Sequence, residues 1–215
     1  MALDFYTGQG SPYGWRVWLA LELKAIPYNL HVLSFAAGDT RKPEFVAINP
    51  RHQVPTIVDD GYAVWESTVV LEYLDEKFTS GPKLFPGEVK SRTRVRRLIR
   101  EIEQYLDLEG IDPITTELFG KEGAEPDMAK VEEAKARVGE ELEFLSSQLH
   151  GKFLAGDEIS AADLVLYPWY GYVKRIAFRK PETKLTDVVP PSLKAWGERI
   201  EVLPFFDKTF PPHWK

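Results

Sequence analysis

The stretch "SGPKLFPGE", residues 80–88, separates two parts of this chain that have different textures. Two prolines and two glycines give it the composition of a linker. Before it, short apolar runs alternate with helical periodicity; after it, every periodic segment repeats at helical spacing. Strands on one side and only helices on the other require two layer architectures, a strand-containing domain followed by an all-helical one. The 215 residues suffice for one or two domains at about 100–200 residues each. The expected division is 1–80, a linker at 81–88, and 89–215.

Within the first part, "ALDFY" reads as a strand. Trp15, Leu19, Leu23 and Ile26 then fall on one helix face, and Pro27 is expected to stop that helix. "YNLHVLSF" is a second strand and "RKPEFVAIN" a short helix closed by Asn49-Pro50. "VPTIV" and "YAVW" form a hairpin around the turn signal Asp59-Asp60-Gly61. "ESTVVLEYLDEKF" places Val70, Leu71, Leu74 and Phe78 on one helical face, so the order is β-α-β-α-β-β-α.

The second part reads as helices over 89–119, with a bend at Gly110 to Pro113, over 126–149, and in "ISAADLVLYPWYGYV" and "PPSLKAWGERIEVL". Ser160 and Asp163 form an S-x-x-D capping box flanked by Ile159 and Leu164, the pattern of a hydrophobic staple. That motif starts a buried helix and does no chemistry. "KSRTRVRR", 90–97, with Arg100, reads as a solvated helix face paired with Glu101, Glu103 and Glu109. The aromatic tail "PFFDKTFPPHWK" is expected to pack as irregular structure.

Composition removes several functions. A net charge of -6 argues against broad nucleic-acid binding, which needs a basic face. The absence of cysteine excludes disulfides, thiolate metal sites and a cysteine nucleophile, and with it a thioredoxin-type redox protein. No metal site is expected. "MALDFYTGQG" has no basic n-region or long apolar run, so no signal peptide is expected. The longest apolar run, 164–173, is shorter than the ~20 residues a span needs, so no membrane association and a cytoplasmic location are expected.

Three places can carry chemistry, and each has two readings. Ser11 before Pro12 suits an N-cap followed by N1; the same helix end favours a nearby anion, and the hydroxyl can donate to a thiolate. Val54-Pro55 is either a cis peptide that frees the backbone of Val54 for an extended peptide, or a trans proline on an edge strand. Glu66 and Ser67 open a helix after a strand: they cap it, or they grip the carboxylate and ammonium of an amino-acid end. The four histidines show no recognised spacing to Ser11 or to a carboxylate.

Four segments together resemble the cytosolic glutathione transferases: "SPYGWRV", "NPRHQVPTIVDDG", "WESTVVLEYLDEKF" and "FLAGDEISAADLVLYP". They stand in order, at family spacing, over essentially the whole chain. The resemblance is closest to the serine-type branch, theta-, phi- and zeta-like, although the zeta-type "SSCS" run is absent. It implies a thioredoxin-like first domain, an all-helical second domain, a homodimer, and glutathione as co-substrate with no tightly bound cofactor.

The resemblance also assigns residues. Ser11 is the hydroxyl that steadies the glutathione thiolate, with Tyr6 ranked behind it. Val54 pairs with the cysteinyl part, beside cis Pro55. Gln53 contacts the peptide or a carboxylate, Glu66 and Ser67 clamp the γ-glutamyl end, and Arg41 and Lys42 lie in the loop expected to hold the glycyl carboxylate. A small hydrophobic electrophile, or a hydroperoxide, is expected in a cleft between the domains, walled by Phe35, Ile114, Leu118 and Phe119; plain core is the other reading of these four. The implied function is a transferase, and a non-catalytic binding or stress-regulatory protein of the same fold is the alternative.

Overall fold

The computed structural model describes residues 3–120 and 123–214, so Ala2 of the expected first strand lies outside it. The chain divides into two compact units. One comprises the residues up to Pro86 together with those from Leu203 onward; the other is Gly87–Val202.

The first unit follows the expected order. Strand β1 (Leu3–Gly8) precedes helix α1 (Pro12–Leu23), β2 (Tyr28–Leu33), the short α2 (Pro43–Val46), β3 (Thr56–Asp59), β4 (Tyr62–Trp65) and α3 (Ser67–Lys77). The strands lie in the order β2-β1-β3-β4. β1 runs parallel to β2, with Tyr6 opposite His31, and antiparallel to β3, with Tyr6 opposite Thr56. This is the thioredoxin-like arrangement. Phe5, wholly buried, meets Trp18 and Tyr28 edge-on at 6.3 and 6.0 Å, while Val17, Leu19, Ile57, Leu71 and Leu74 complete the core. The β3–β4 turn takes positive φ at Asp60 (49°) and Gly61 (84°), as a tight type I′ hairpin requires.

Helix α1 ends earlier than Pro27 would stop it. Ala25 turns left-handed at φ 51°, and the Ile26 N–H reaches back to the Leu21 carbonyl at 2.9 Å, a Schellman closure. Ile26 is still buried, as its place in the apolar pattern requires, but outside the helix. The closure aims Lys24 inward, where its Nζ donates to Asp75 Oδ1 at 3.2 Å and to the Pro82 carbonyl at 3.0 Å. Asp75 also accepts from the amides of Leu84 and Phe85. The linker's first half is therefore anchored to the first unit.

The second unit contains α4 (Val89–Glu101), a π-helical segment (Ile102–Ile111), α5 (Asp112–Phe119), α6 (Met128–Ser147), α7 (Ala161–Arg179) and α8 (Pro191–Glu201). At Gly110–Pro113, where sequence suggests a bend, the chain leaves the π-helical segment, and Gly110 lies so close to α6 that a Cβ would sit 2.9 Å from Val138. Pro113 falls in the first turn of α5, where its missing N–H is tolerated. α7 is buried nearly all round, and the capping box starts it. The buried Asp163 carboxylate accepts from the amides of Leu154 and Ser160, both at 2.9 Å, from Ser160 Oγ at 2.7 Å, and from Trp196 Nε1 at 2.9 Å. Burial still holds its carboxyl above the ordinary aspartate range.

Three arginines of α4 have partners within the helical unit. Arg94 donates to the Gln148 carbonyl at 2.6 Å, Arg97 to Glu101 at 2.6 Å, and Arg100 to Glu103 at 3.1 Å. Glu109, expected to pair with this face, instead accepts from Gln104 at 2.9 Å.

Sequence places the tail with the helical domain, whereas it packs with the first unit. Trp15 of α1 is the reason: its Nε1 donates to Thr209 Oγ1 at 3.0 Å, and Phe206, Phe210 and Trp214 surround its ring at 5.5–6.2 Å. The tail also carries regular structure, with α9 over Phe206–Thr209 followed by a short 3₁₀ turn.

Candidate functional site

Ser11 is the N-cap of α1. Its Oγ accepts the Gly14 N–H at 3.2 Å, and its own N–H donates to the Gly8 carbonyl at 3.2 Å. A serine hydroxyl has two lone pairs and one proton. Accepting from Gly14 uses a lone pair, so the proton stays free to be donated outward. Capping and anion binding are therefore compatible roles for this one atom. Gly14 is required at that place, because a Cβ would lie 2.1 Å from Thr7 Oγ1 on β1.

Phe35 is the most exposed aromatic beside this turn, at 54%, and its ring covers Gly8, where a Cβ would meet it at 2.2 Å. The tail reaches the same turn: a Cβ on Gly10 would meet His213 and Trp214 at about 3 Å. Sequence reading missed this approach, since no local pattern links residues 10 and 213.

Tyr6 lies on the other face of β1. Its ring stacks on His31 at 4.4 Å and packs against Phe45. Burial, then the charge of Asp4, pushes its phenol above the ordinary range, which opposes ionisation there. His31 meets Asp4 at 2.9 Å, a pairing made by the parallel register and invisible in the spacing.

The Val54–Pro55 peptide is cis. β3 begins at Thr56, so the amide and carbonyl of Val54 stand outside its ladder. The preceding loop is organised by Asn49, which is fully buried. Its Nδ2 donates to the Gln53 carbonyl and to Thr56 Oγ1, both at 2.9 Å, and its Oδ1 accepts the Arg51 N–H at 2.9 Å. Sequence reading saw only a helix stop in Asn49-Pro50. Gln53 keeps its side chain exposed while its carbonyl is held.

Glu66 stands directly before α3 with φ at 66°, a left-handed conformation uncommon outside glycine and concentrated at functional positions. Its side chain makes no cap hydrogen bond and is exposed. Ser67 is buried at 7% and does not cap either: its Oγ accepts from Arg16 Nη1 at 3.2 Å. As at Ser11, the acceptor side is used and the proton is left. The plain capping reading thus fails for both side chains.

Arg41 and Lys42 are both exposed in the loop after β2, and Lys42 is paired with Asp39 at 2.7 Å. Asp39 also takes the Ser34 N–H at 2.8 Å. Of the other expected wall residues, both in the helical unit, Ile114 is wholly buried and Leu118 is 9% exposed. Phe119 is half-buried, with the Arg179 guanidinium 4.4 Å over its ring. Among the described residues no helix is long and apolar enough to cross a membrane.

The class that fold and site define is a thioredoxin-like domain joined to an all-helical one, with two serine hydroxyls presented at helix starts and a cis proline between them in sequence. The glutathione S-transferase N-terminal domain model matches residues 10–77 and the C-terminal domain model residues 110–204. The chain belongs to the glutathione transferase family. It is similar to glutathione transferase F7 of Populus trichocarpa, with 27% identity, 97% of each chain covered and a TM-score of 0.80. A glutathione S-transferase of the Antarctic clam Laternula elliptica gives 27% identity, covering 100% of this chain and 94% of that one, at a TM-score of 0.78. Ure2p, solved in complex with glutathione, shares the fold at a TM-score of 0.83, with 21% identity over 97% and 98% of the two chains.

Proposed function

We propose that this protein is a serine-type glutathione transferase that activates the thiol of bound glutathione for attack on small hydrophobic electrophiles and hydroperoxides. The observation that carries this reading is the Ser11 hydroxyl, whose acceptor side is fixed by Gly14 and whose proton is free at the start of α1. A free thiol ionises near ~8.5, and lowering that by two units needs about 2.7 kcal/mol. One hydroxyl donor to a thiolate supplies roughly 1.5–3 kcal/mol and the helix end about 0.3–1 kcal/mol. The sum suffices without a general base.

In this reading the backbone of Val54 pairs with the cysteinyl part, and Gln53 lies beside it. Glu66 holds the γ-glutamyl ammonium and Ser67 its carboxylate. Arg41 meets the glycyl carboxylate, because Lys42 is already engaged by Asp39. Phe35 offers the electrophile an apolar face beside Ser11. The protein acts as a homodimer, as light scattering will test.

The test is retention on immobilised glutathione followed by conjugation of chlorodinitrobenzene. Retention with turnover supports the transferase. Retention without turnover on several electrophiles and hydroperoxides supports a second reading, a non-catalytic glutathione-binding protein, which the fold shared with Ure2p keeps open. No retention and no turnover overturns both.

A further inference from the structure

Arg16 has no exposed surface, although arginine is almost never fully buried without a partner. Its Nη1 donates to Ser67 Oγ at 3.2 Å, and its guanidinium carbon lies 4.8 Å over the Tyr13 ring, two residues after Ser11. One side chain in the first half of α1 thus grips the first residue of α3. The transferase reading assigns Arg16 nothing.

We propose that Arg16 is the positioning residue for carboxylate recognition at the start of α3, selecting an amino-acid end with a free α-carboxylate over its amide. The proposal rests on the glutathione reading above. Arg16 is a donor only, so it must occupy a lone pair of Ser67 Oγ. The single Ser67 proton is then turned away from the guanidinium, toward whatever lies at the helix start. The first-turn amides of α3 carry partial positive charge, which favours a carboxylate over a neutral amide at the place the Ser67 proton faces. Stacking on Tyr13 and donation to Ser67 together require a flat, forked group. A lysine ammonium is compact and strongly hydrated, and it does not reproduce both contacts.

The experiment measures binding of glutathione, and of glutathione amidated at its γ-glutamyl α-carboxyl, by calorimetry. The proteins are wild type, Arg16→Lys, Ser67→Ala and the double variant. Wild type should prefer glutathione by roughly 10- to 100-fold, the range of one charge-assisted hydrogen bond. Arg16→Lys should cut that preference about tenfold, raising KM for glutathione with kcat within about twofold, and should leave the pH at which the bound thiol ionises unmoved. In the Ser67→Ala background the same lysine substitution should change the preference little, because Arg16 acts through Ser67. Equal losses with and without Ser67 overturn the positioning role. The wild-type comparison needs no variant to fold: glutathione bound without preference over its amide overturns this proposal and leaves the glutathione reading standing. No binding of glutathione at all overturns that reading, and this proposal with it.

Discussion

Gly14 and Thr7 pack so closely that a single methyl on the glycine would lie 2.1 Å from the threonine hydroxyl. This contact sets how near the first turn of α1 approaches β1, and it therefore sets where the Ser11 hydroxyl stands. Gly14→Ala should destabilise the protein by about 1–3 kcal/mol through overpacking and lower turnover by shifting the cap. Thr7→Ala removes the clashing oxygen, after which the Gly14 Cβ would meet the residue-7 Cβ at 3.4 Å, an ordinary contact. In that background Gly14→Ala should be neutral or stabilising, since alanine is the better helix former by about 1 kcal/mol. Denaturant titration of the four proteins checks the cycle.

Ser11→Ala should separate the two roles of one oxygen. Loss of the cap should cost about 1 kcal/mol of stability. Loss of the donor should move the ionisation of bound glutathione upward by about 1–2 pH units, with turnover falling accordingly at neutral pH. Pre-steady-state pH profiles measure the shift. A variant with the wild-type profile removes Ser11 from the chemistry.

Asp163 accepts four hydrogen bonds in the helical unit. Asp163→Ala strands the buried donors of Leu154, Ser160 and Trp196. The expected loss is about 3–5 kcal/mol, seen as a fall in Tm of roughly 10 °C. Glutathione affinity, if measured below the transition, should be unchanged, because this hub contributes packing and no chemistry.

Glu141 of α6 predicts a pH dependence of stability. Burial first, and then the charges of Glu101 and Glu109, push its carboxyl up to about 7. The folded state therefore binds a proton that the unfolded chain releases at lower pH. Stability is fullest below the ordinary glutamate range and declines as pH rises toward 7. Partial exposure reduces the effect to about 1–2 kcal/mol. Glu141→Gln should flatten the dependence between about pH 4.5 and 7 and raise stability at pH 8. Thermal melts across that range would refute this if both proteins changed in parallel.

Asn49 predicts a cost at the site that sequence did not signal. Asn49→Ala removes three hydrogen bonds of the loop before β3 and leaves the buried Thr56 hydroxyl with one fewer partner. Affinity for glutathione should fall about tenfold if Val54 pairs with the peptide, with kcat at saturating glutathione little changed. Calorimetry and steady-state kinetics read the two quantities separately.

The sequence by itself determined the element order of the first unit, the serine cap, the β3–β4 hairpin and the capping box of α7. Each is written within a few consecutive residues, where periodicity, a cap or a turn dipeptide acts on its own neighbours. Tertiary structure alone decided that Arg16 meets Ser67, 51 positions away, that Trp15 draws in Thr209, 194 positions away, and that Asn49 ties the loop to Thr56. It also made Ile102–Ile111 π-helical and buried Ile114 wholly. A buried polar side chain takes its partner from whichever element the sheet and helices carry beside it. That choice depends on the packing of the whole unit, so no local pattern records it.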